Sequence, residues 1–363
     1  MEIKKILITS SIIVFLAIIV VLLFFISQNP LTSPNPSNLE KCKSLVFNGE
    51  DKINLLFFAD KDLSKGYSNF FLQTSPYSQY KDEFNFYYID SYTPECEVYQ
   101  DQAVLCRGKE LTKKASSCPN DFIIVIKDVD DPYLRSSAFQ NIISLNFQHP
   151  NTVLTHEFGH VFSNLADEYV SAVIPSGSKN CVISCDKFQN EIDGCFQGCS
   201  KSDYYRSVEE GVMRTLNSNY YGKFNEKIIL EKINKKSKIT GSVIENTNSA
   251  DCSEQEYYLI EMSIYENKTL KILNITVEEG CAPSLNSKEL QIRTILFTDG
   301  QSIDETQING GTEEIHKGIF YIKIPKNEQT EGLILKLRNE QAPEIPEVTV
   351  NLEELEHIPC RIK

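Results

Sequence analysis

Of the five histidines in this chain, two stand four residues apart in the run His156-Glu157-Phe158-Gly159-His160. On a helix that spacing stacks two imidazoles one turn apart on one face, within reach of a single cation. Glu157 shares that side, where a carboxylate holds a water beside the ion and takes its proton as a general base. The chemistry implied is hydrolysis by an activated water. Such a centre needs three protein ligands and one open position. No histidine lies between His160 and His316, which turns the search to carboxylates. Asp167 and Glu168 are the nearest after the helix. Either reaches back only where the helix stops and the chain reverses. Ser163-Asn164 suits that reversal, since Asn tolerates the left-handed conformation better than most residues with a side chain. Both carboxylates stay open as the third ligand. A glutamate from a later helix, Glu191, Glu209 or Glu210, is the other source.

The elements that must position these residues surround them. Asn151 after Pro150 stands as an N-cap, and Leu154, Phe158, Val161, Phe162 and Leu165 recur at helical spacing as a buried stripe. The histidines fall on the opposite stripe. Upstream, residues 53–60 and 84–89 read as strands around a polar, helical stretch ending near Tyr80. Residues 96–118 read as a loop. Residues 121–126 are apolar on both faces, as in a central strand, and residues 138–145 read as a further strand leading into the motif helix. Asp128, Asp130 and Asp131 make an acidic turn, with a calcium site as the alternative. Downstream, Glu210-Gly211-Val212-Met213-Arg214 forms a turn ahead of a helix over 223–235. From residue 237, short alternating segments separated by Gly, Pro, Asn and Asp predict an antiparallel β-sandwich.

Composition narrows the partners. The 363 residues carry 50 acidic against 36 basic side chains, a net charge of −14, which argues against nucleic acid or anionic lipid as a partner. Ile6 to Ile26 is apolar apart from Thr9, Ser10 and Ser11, and at ~1.5 Å per residue it spans a ~30 Å hydrocarbon core. Lys4 and Lys5 precede it, which puts the N-terminus in the cytoplasm. A cleaved signal peptide is the alternative, against which Phe25-Ile26-Ser27-Gln28 offers no small-x-small cleavage site. The division expected is a cytoplasmic stub and transmembrane anchor over 1–27, a linker over 28–42, a catalytic domain over 43–236 and an accessory domain over 237–363. Eleven cysteines suit an oxidising exterior, and the odd number leaves one without a partner in the chain. For Cys181-x3-Cys185-x9-Cys195-x3-Cys199 that compartment favours two disulfides over a second, structural zinc. Cys252 and Cys281 are placed to staple two of the later strands.

The stretch from His156 to Tyr169, HEFGHxxxxLADEY, follows the strand at 53–60 and precedes the Val-Met-Arg turn. In that it resembles the IgA-peptidase-like family of metzincin zinc metallopeptidases. The likeness runs loosely from about Val46 to Leu230 and is specific only around the motif. It implies an α+β fold, a metzincin-like zinc peptidase domain, here set between an N-terminal transmembrane helix and a C-terminal antiparallel β-sandwich. It implies Zn2+ held by His156, His160 and Asp167, with Glu168 as the alternative ligand and Glu157 as the base. Met213 would form the Met-turn floor, and the strand at 138–145 would be the edge that pairs with extended substrate. Two departures stand out. Ser163 replaces the glycine at which such helices usually turn, and the acidic residue comes one position later. The resulting expectation is a membrane-anchored, outward-facing zinc endopeptidase, acting on a protein or peptide substrate, held in the membrane through residues 6–26. The rivals are a surface adhesion protein with a degenerate peptidase domain and a zinc-dependent amidase. Nothing in the sequence sets the oligomeric state.

Overall fold

The computed structural model describes residues 40–239 except 51, 176 and 189–192, together with 252, 255–264, 270–281, 318–326, 332–336 and 347–351. Its centre is a six-stranded sheet made from β1 (Lys43–Val46), β2 (Ile53–Phe58), β3 (Phe84–Ile89), β6 (Phe122–Lys127), β7 (Ser137–Phe139) and β8 (Ile142–Asn146). The order across the sheet is β1-β3-β2-β6-β8-β7. β2 runs parallel to both β3 and β6, and β6 runs parallel to β8. β1 and β7 close the two edges antiparallel.

Parallel neighbours need crossover connections, which helices supply. α1 (Lys61–Phe71) links β2 to β3, and α2 (Lys109–Ala115) lies between β3 and β6. Asp60 ends the run of β2 by capping α1, its Oδ1 accepting from the N–H groups of Asp62 and Leu63 at 2.9 Å each. On one face of the sheet Leu55, Phe57, Phe86 and Ile143 pack against Phe71 of α1, against Leu154 and Phe158 of α3 (Thr152–Ser163), and against Ile229 of α4 (Lys223–Ile239). On the other face Leu56, Phe58, Tyr87 and Val125 pack against Leu111 and Ala115 of α2. Covering both faces is why these strands are almost unbroken apolar runs.

This corrects the α+β expectation. The described residues form a mixed α/β arrangement of five sheets with four α-helices, in which strands and helices alternate instead of segregating. None of those helices is long and apolar enough to cross a membrane. The expected anchor at residues 6–26 lies outside the described residues. The C-terminal β-sandwich is corrected too. β11 (Glu256–Ile264) sits between β12 (Leu270–Glu279) and β13 (Gly318–Pro325) in a three-stranded antiparallel sheet, and among the described residues β14 (Gly332–Lys336) pairs only with β15 (Glu347–Asn351). The alternating pattern is real, but it reports hairpin pairing without saying whether two sheets stack. The segment expected as a strand at 290–297, His316 and His357 lie outside the described residues.

Two local readings also change. The single strand expected at 138–145 is a hairpin, because Gln140 adopts a left-handed φ of 56° and reverses the chain between β7 and β8. The expected loop at 96–118 holds a small hairpin, β4 (Glu97–Tyr99) with β5 (Ala103–Leu105), and then α2. Disulfides explain how such short elements persist. Cys96–Cys106 clamps that hairpin and Cys42–Cys118 ties β1 to the end of α2. Cys181–Cys199 and Cys185–Cys195 are nested around β9 (Phe196–Cys199) and the start of β10 (Lys201–Arg206), so these thiols serve as staples. Cys252–Cys281 staples the start of β11 to the end of β12. The eleventh cysteine, Cys360, lies outside the described residues.

Candidate metal centre

α3 carries the motif. Its inner face is pinned by Leu154 and Phe158, both fully buried, with Phe158 in edge contact with Phe71 and Tyr77. Val161 and Phe162, expected in the same buried stripe, are only partly covered. Asn151 stands at the N-cap but makes no capping bond with its side chain. Instead Thr152 ties the first turn to the segment after Met213 by donating its hydroxyl to the Leu216 carbonyl at 2.5 Å.

The helix ends at Ser163 because Asn164 takes the left-handed conformation, φ 54° and ψ 39°. The Asn164 and Leu165 N–H groups donate to the carbonyls of His160 and Gly159 at 2.9 and 3.2 Å, satisfying the last turn as the chain doubles back. That reversal delivers Asp167 to the histidines. Its Oδ1 lies 3.2 Å from His156 Nε2 and 3.3 Å from His160 Nε2, and the two Nε2 atoms are 3.2 Å apart.

The outer nitrogens decide what these atoms offer. His156 Nδ1 donates to the Val212 carbonyl at 2.8 Å and His160 Nδ1 to the Leu165 carbonyl at 2.6 Å. Each neutral ring therefore presents a lone pair on Nε2. Two lone pairs and a buried carboxylate oxygen converge on one point, and Asp167 Oδ1 has no ordinary hydrogen-bond donor of its own. Three acceptors packed this closely need positive charge between them. A tetrahedron with edges of this length has its centre about 2.0 Å from each corner, the range of Zn–N and Zn–O bonds. The donor set, two imidazoles and a carboxylate with the fourth corner open, fits zinc. Among the described residues, this is the one group of three or more His, Cys, Asp or Glu side chains close enough to share an ion.

Glu157 lines the same open cleft, of about 850 Å³, and is 7% exposed. Burial raises its carboxyl above the usual range despite the pull of both imidazoles, as a base working near neutral pH requires. Met213 lies under the helix. A Cβ built on Gly159 would stand 2.8 Å from Met213 Sδ and 3.1 Å from a Tyr221 ring carbon. We therefore expect Gly159→Ala to destabilise the protein by about 1–3 kcal/mol through overpacking, despite the better helix propensity of Ala. A thermal melt of the variant checks this.

Glu168 goes elsewhere. It is fully buried, with Oε1 accepting from Asn225 Nδ2 at 2.8 Å and Asn180 Nδ2 at 3.1 Å, while its N–H donates to the Met213 carbonyl at 2.8 Å. It anchors the loop that carries Asp167. Burial holds its carboxyl up at about 7 against the pull of those two amides. Glu209 and Glu210 are exposed, and Glu210 pairs with Arg214 at 3.6 Å. Glu191 lies outside the described residues. Asp128, Asp130 and Asp131 stay exposed on the loop after β6. Tyr169, in the motif but without an expected role, lines the cleft and hydrogen-bonds Asp167. Its place two residues after the ligand was the available signal.

Without metal the centre must hold protons. Burial would push the His160 imidazole down, but Asp167 overrides it and lifts the group from the ordinary 6.5 to about 9. A pKa raised on folding stabilises the metal-free protein fully below about pH 6.5, and that stability is lost as pH rises through about 9. Zinc needs the unprotonated rings, so its affinity rises over the same interval. The increase in Tm on adding zinc should therefore grow steadily between those pH values, as scanning calorimetry with and without chelator will show.

No protein-family model matches the chain, and no curated protein matches it.

Proposed function

We propose that this chain is a zinc-dependent peptidase working outside the reducing compartments of the cell. The observation that carries the reading is the convergence of His156 Nε2, His160 Nε2 and Asp167 Oδ1 at tetrahedral spacing beside the buried Glu157. The resemblance of residues 156–169 to the IgA-peptidase-like metzincins supports peptide bonds as the target. The five disulfides support an oxidising location.

Zinc bound there supplies a Lewis acid that polarises a carbonyl and acidifies a water. The protein does the rest. Val212 and Leu165 hold the imidazoles in the ligating tautomer through their carbonyls. Glu157 accepts a proton from the attacking water at its carboxylate and delivers it to the amine nitrogen as the C–N bond breaks. The terminal strand β7, with Ala138 in the cleft wall, is the edge along which an extended chain is laid. The test is to incubate the purified full chain with a mixed peptide library. Internal cleavage that a chelator abolishes and zinc restores is the expected result. Full zinc loading with no cleavage of any peptide would overturn the reading in favour of a binding protein or of an amidase with other substrates.

A further inference from the structure

The cleft of this acidic chain is lined by four cations, Arg135, Lys179, Arg214 and Lys232. Lys179 pairs with Glu231 at 3.7 Å and Arg214 with Glu210 at 3.6 Å. Arg135 differs. It is exposed, and among the described residues no carboxylate lies within ion-pairing distance of it. Its guanidinium instead donates to the neutral Gln102 side-chain oxygen at 2.9 Å. Its backbone does the structural work, with the N–H donating to the Gln102 carbonyl at 2.8 Å and the carbonyl accepting from Val104 at 2.9 Å. These contacts fix Arg135 to the β4–β5 hairpin, itself clamped by Cys96–Cys106. The charge is therefore held on a rigid support in the cleft wall.

A second observation lies at the other end of β7. Gln140 is more than nine-tenths buried in the cleft wall, and its Nε2 has no hydrogen-bond partner. A buried amide donor without a partner is costly unless something else completes it. Of the two, only Arg135 is exposed, and it is the donor open to whatever occupies the cleft.

From this, and resting on the peptidase reading, we infer that the cleft selects peptides bearing a carboxylate, with Arg135 as the residue that reads it. A planar fork of donors suits a carboxylate, and a charge-assisted contact on a preorganised arginine discriminates by about tenfold or more. The carboxylate comes from an acidic side chain or from a chain terminus.

The test measures binding of fluorescent octapeptides to the full chain in the presence of a zinc chelator, by anisotropy. One peptide has blocked ends and internal glutamates, one has a free C-terminus and no acidic side chain, and one is blocked and neutral. At least one carboxylate peptide should bind about tenfold tighter than the neutral one, and which of the two does so names the source. Arg135→Glu should abolish that preference, and Arg135→Lys should keep part of it. Equal binding of all three peptides, or an equal loss for all three in Arg135→Glu, overturns the inference. A parallel arm with zinc reads cleavage. Selective binding without cleavage would sink the peptidase reading alone, and cleavage without selectivity would sink this inference alone.

Discussion

Replacing Glu157 with Gln should leave zinc bound and the fold intact while lowering peptide hydrolysis at least ~10²-fold, the usual scale for a positioned base. Glu157 contributes none of the three atoms that converge at the proposed metal position, and the histidine tautomers are set by the Val212 and Leu165 carbonyls. Glutamine keeps the volume and removes only the capacity to take a proton. Single-turnover rates with matched zinc content measure the effect. Wild-type rates in the variant would remove Glu157 from the mechanism, and loss of zinc would mean that it binds the metal after all.

The second large effect separates the two carboxylates. Asp167→Ala should weaken zinc binding more than about 100-fold, beyond the 10- to 100-fold range typical of residues that only support a ligand. Glu168→Gln should leave zinc affinity nearly unchanged, because Glu168 faces Asn180 and Asn225 and never approaches the imidazoles. Competition against a zinc-binding dye gives both affinities. If the Glu168 variant loses the metal and the Asp167 variant retains it, the ligand assignment is reversed.

The histidines' shared face could be read in advance because the period of a helix is a local rule, indifferent to what surrounds it. The reversal at Ser163-Asn164 follows from one residue type that tolerates the left-handed region, and Asn164 adopts it at φ 54°. Choosing between Asp167 and Glu168 was beyond that logic. Adjacent residues point in different directions, and what separates them is Asn180 and Asn225, 12 and 57 residues away from Glu168. The sheet shows the same division. Residues 53–58 and 84–89 are recognisable as strands from their apolar runs, yet pairing direction and order depend on long-range contacts that no local pattern encodes. Hence the strands and the helical stretch between them are legible but their order and direction are not, and the later hairpins read as a sandwich. The turn at Gln140 is hidden for another reason. A turn that uses glutamine in the left-handed region carries none of the Gly or Asn signature of a hairpin.

X-ray absorption at the zinc edge, on the full chain purified without added chelator, tests the central claim most directly. It should find one zinc per chain with a first sphere of two imidazole nitrogens and additional oxygen at about 2.0–2.1 Å, and no sulfur. Substoichiometric zinc after dialysis against zinc, or a sphere without imidazole scattering, would contradict the account.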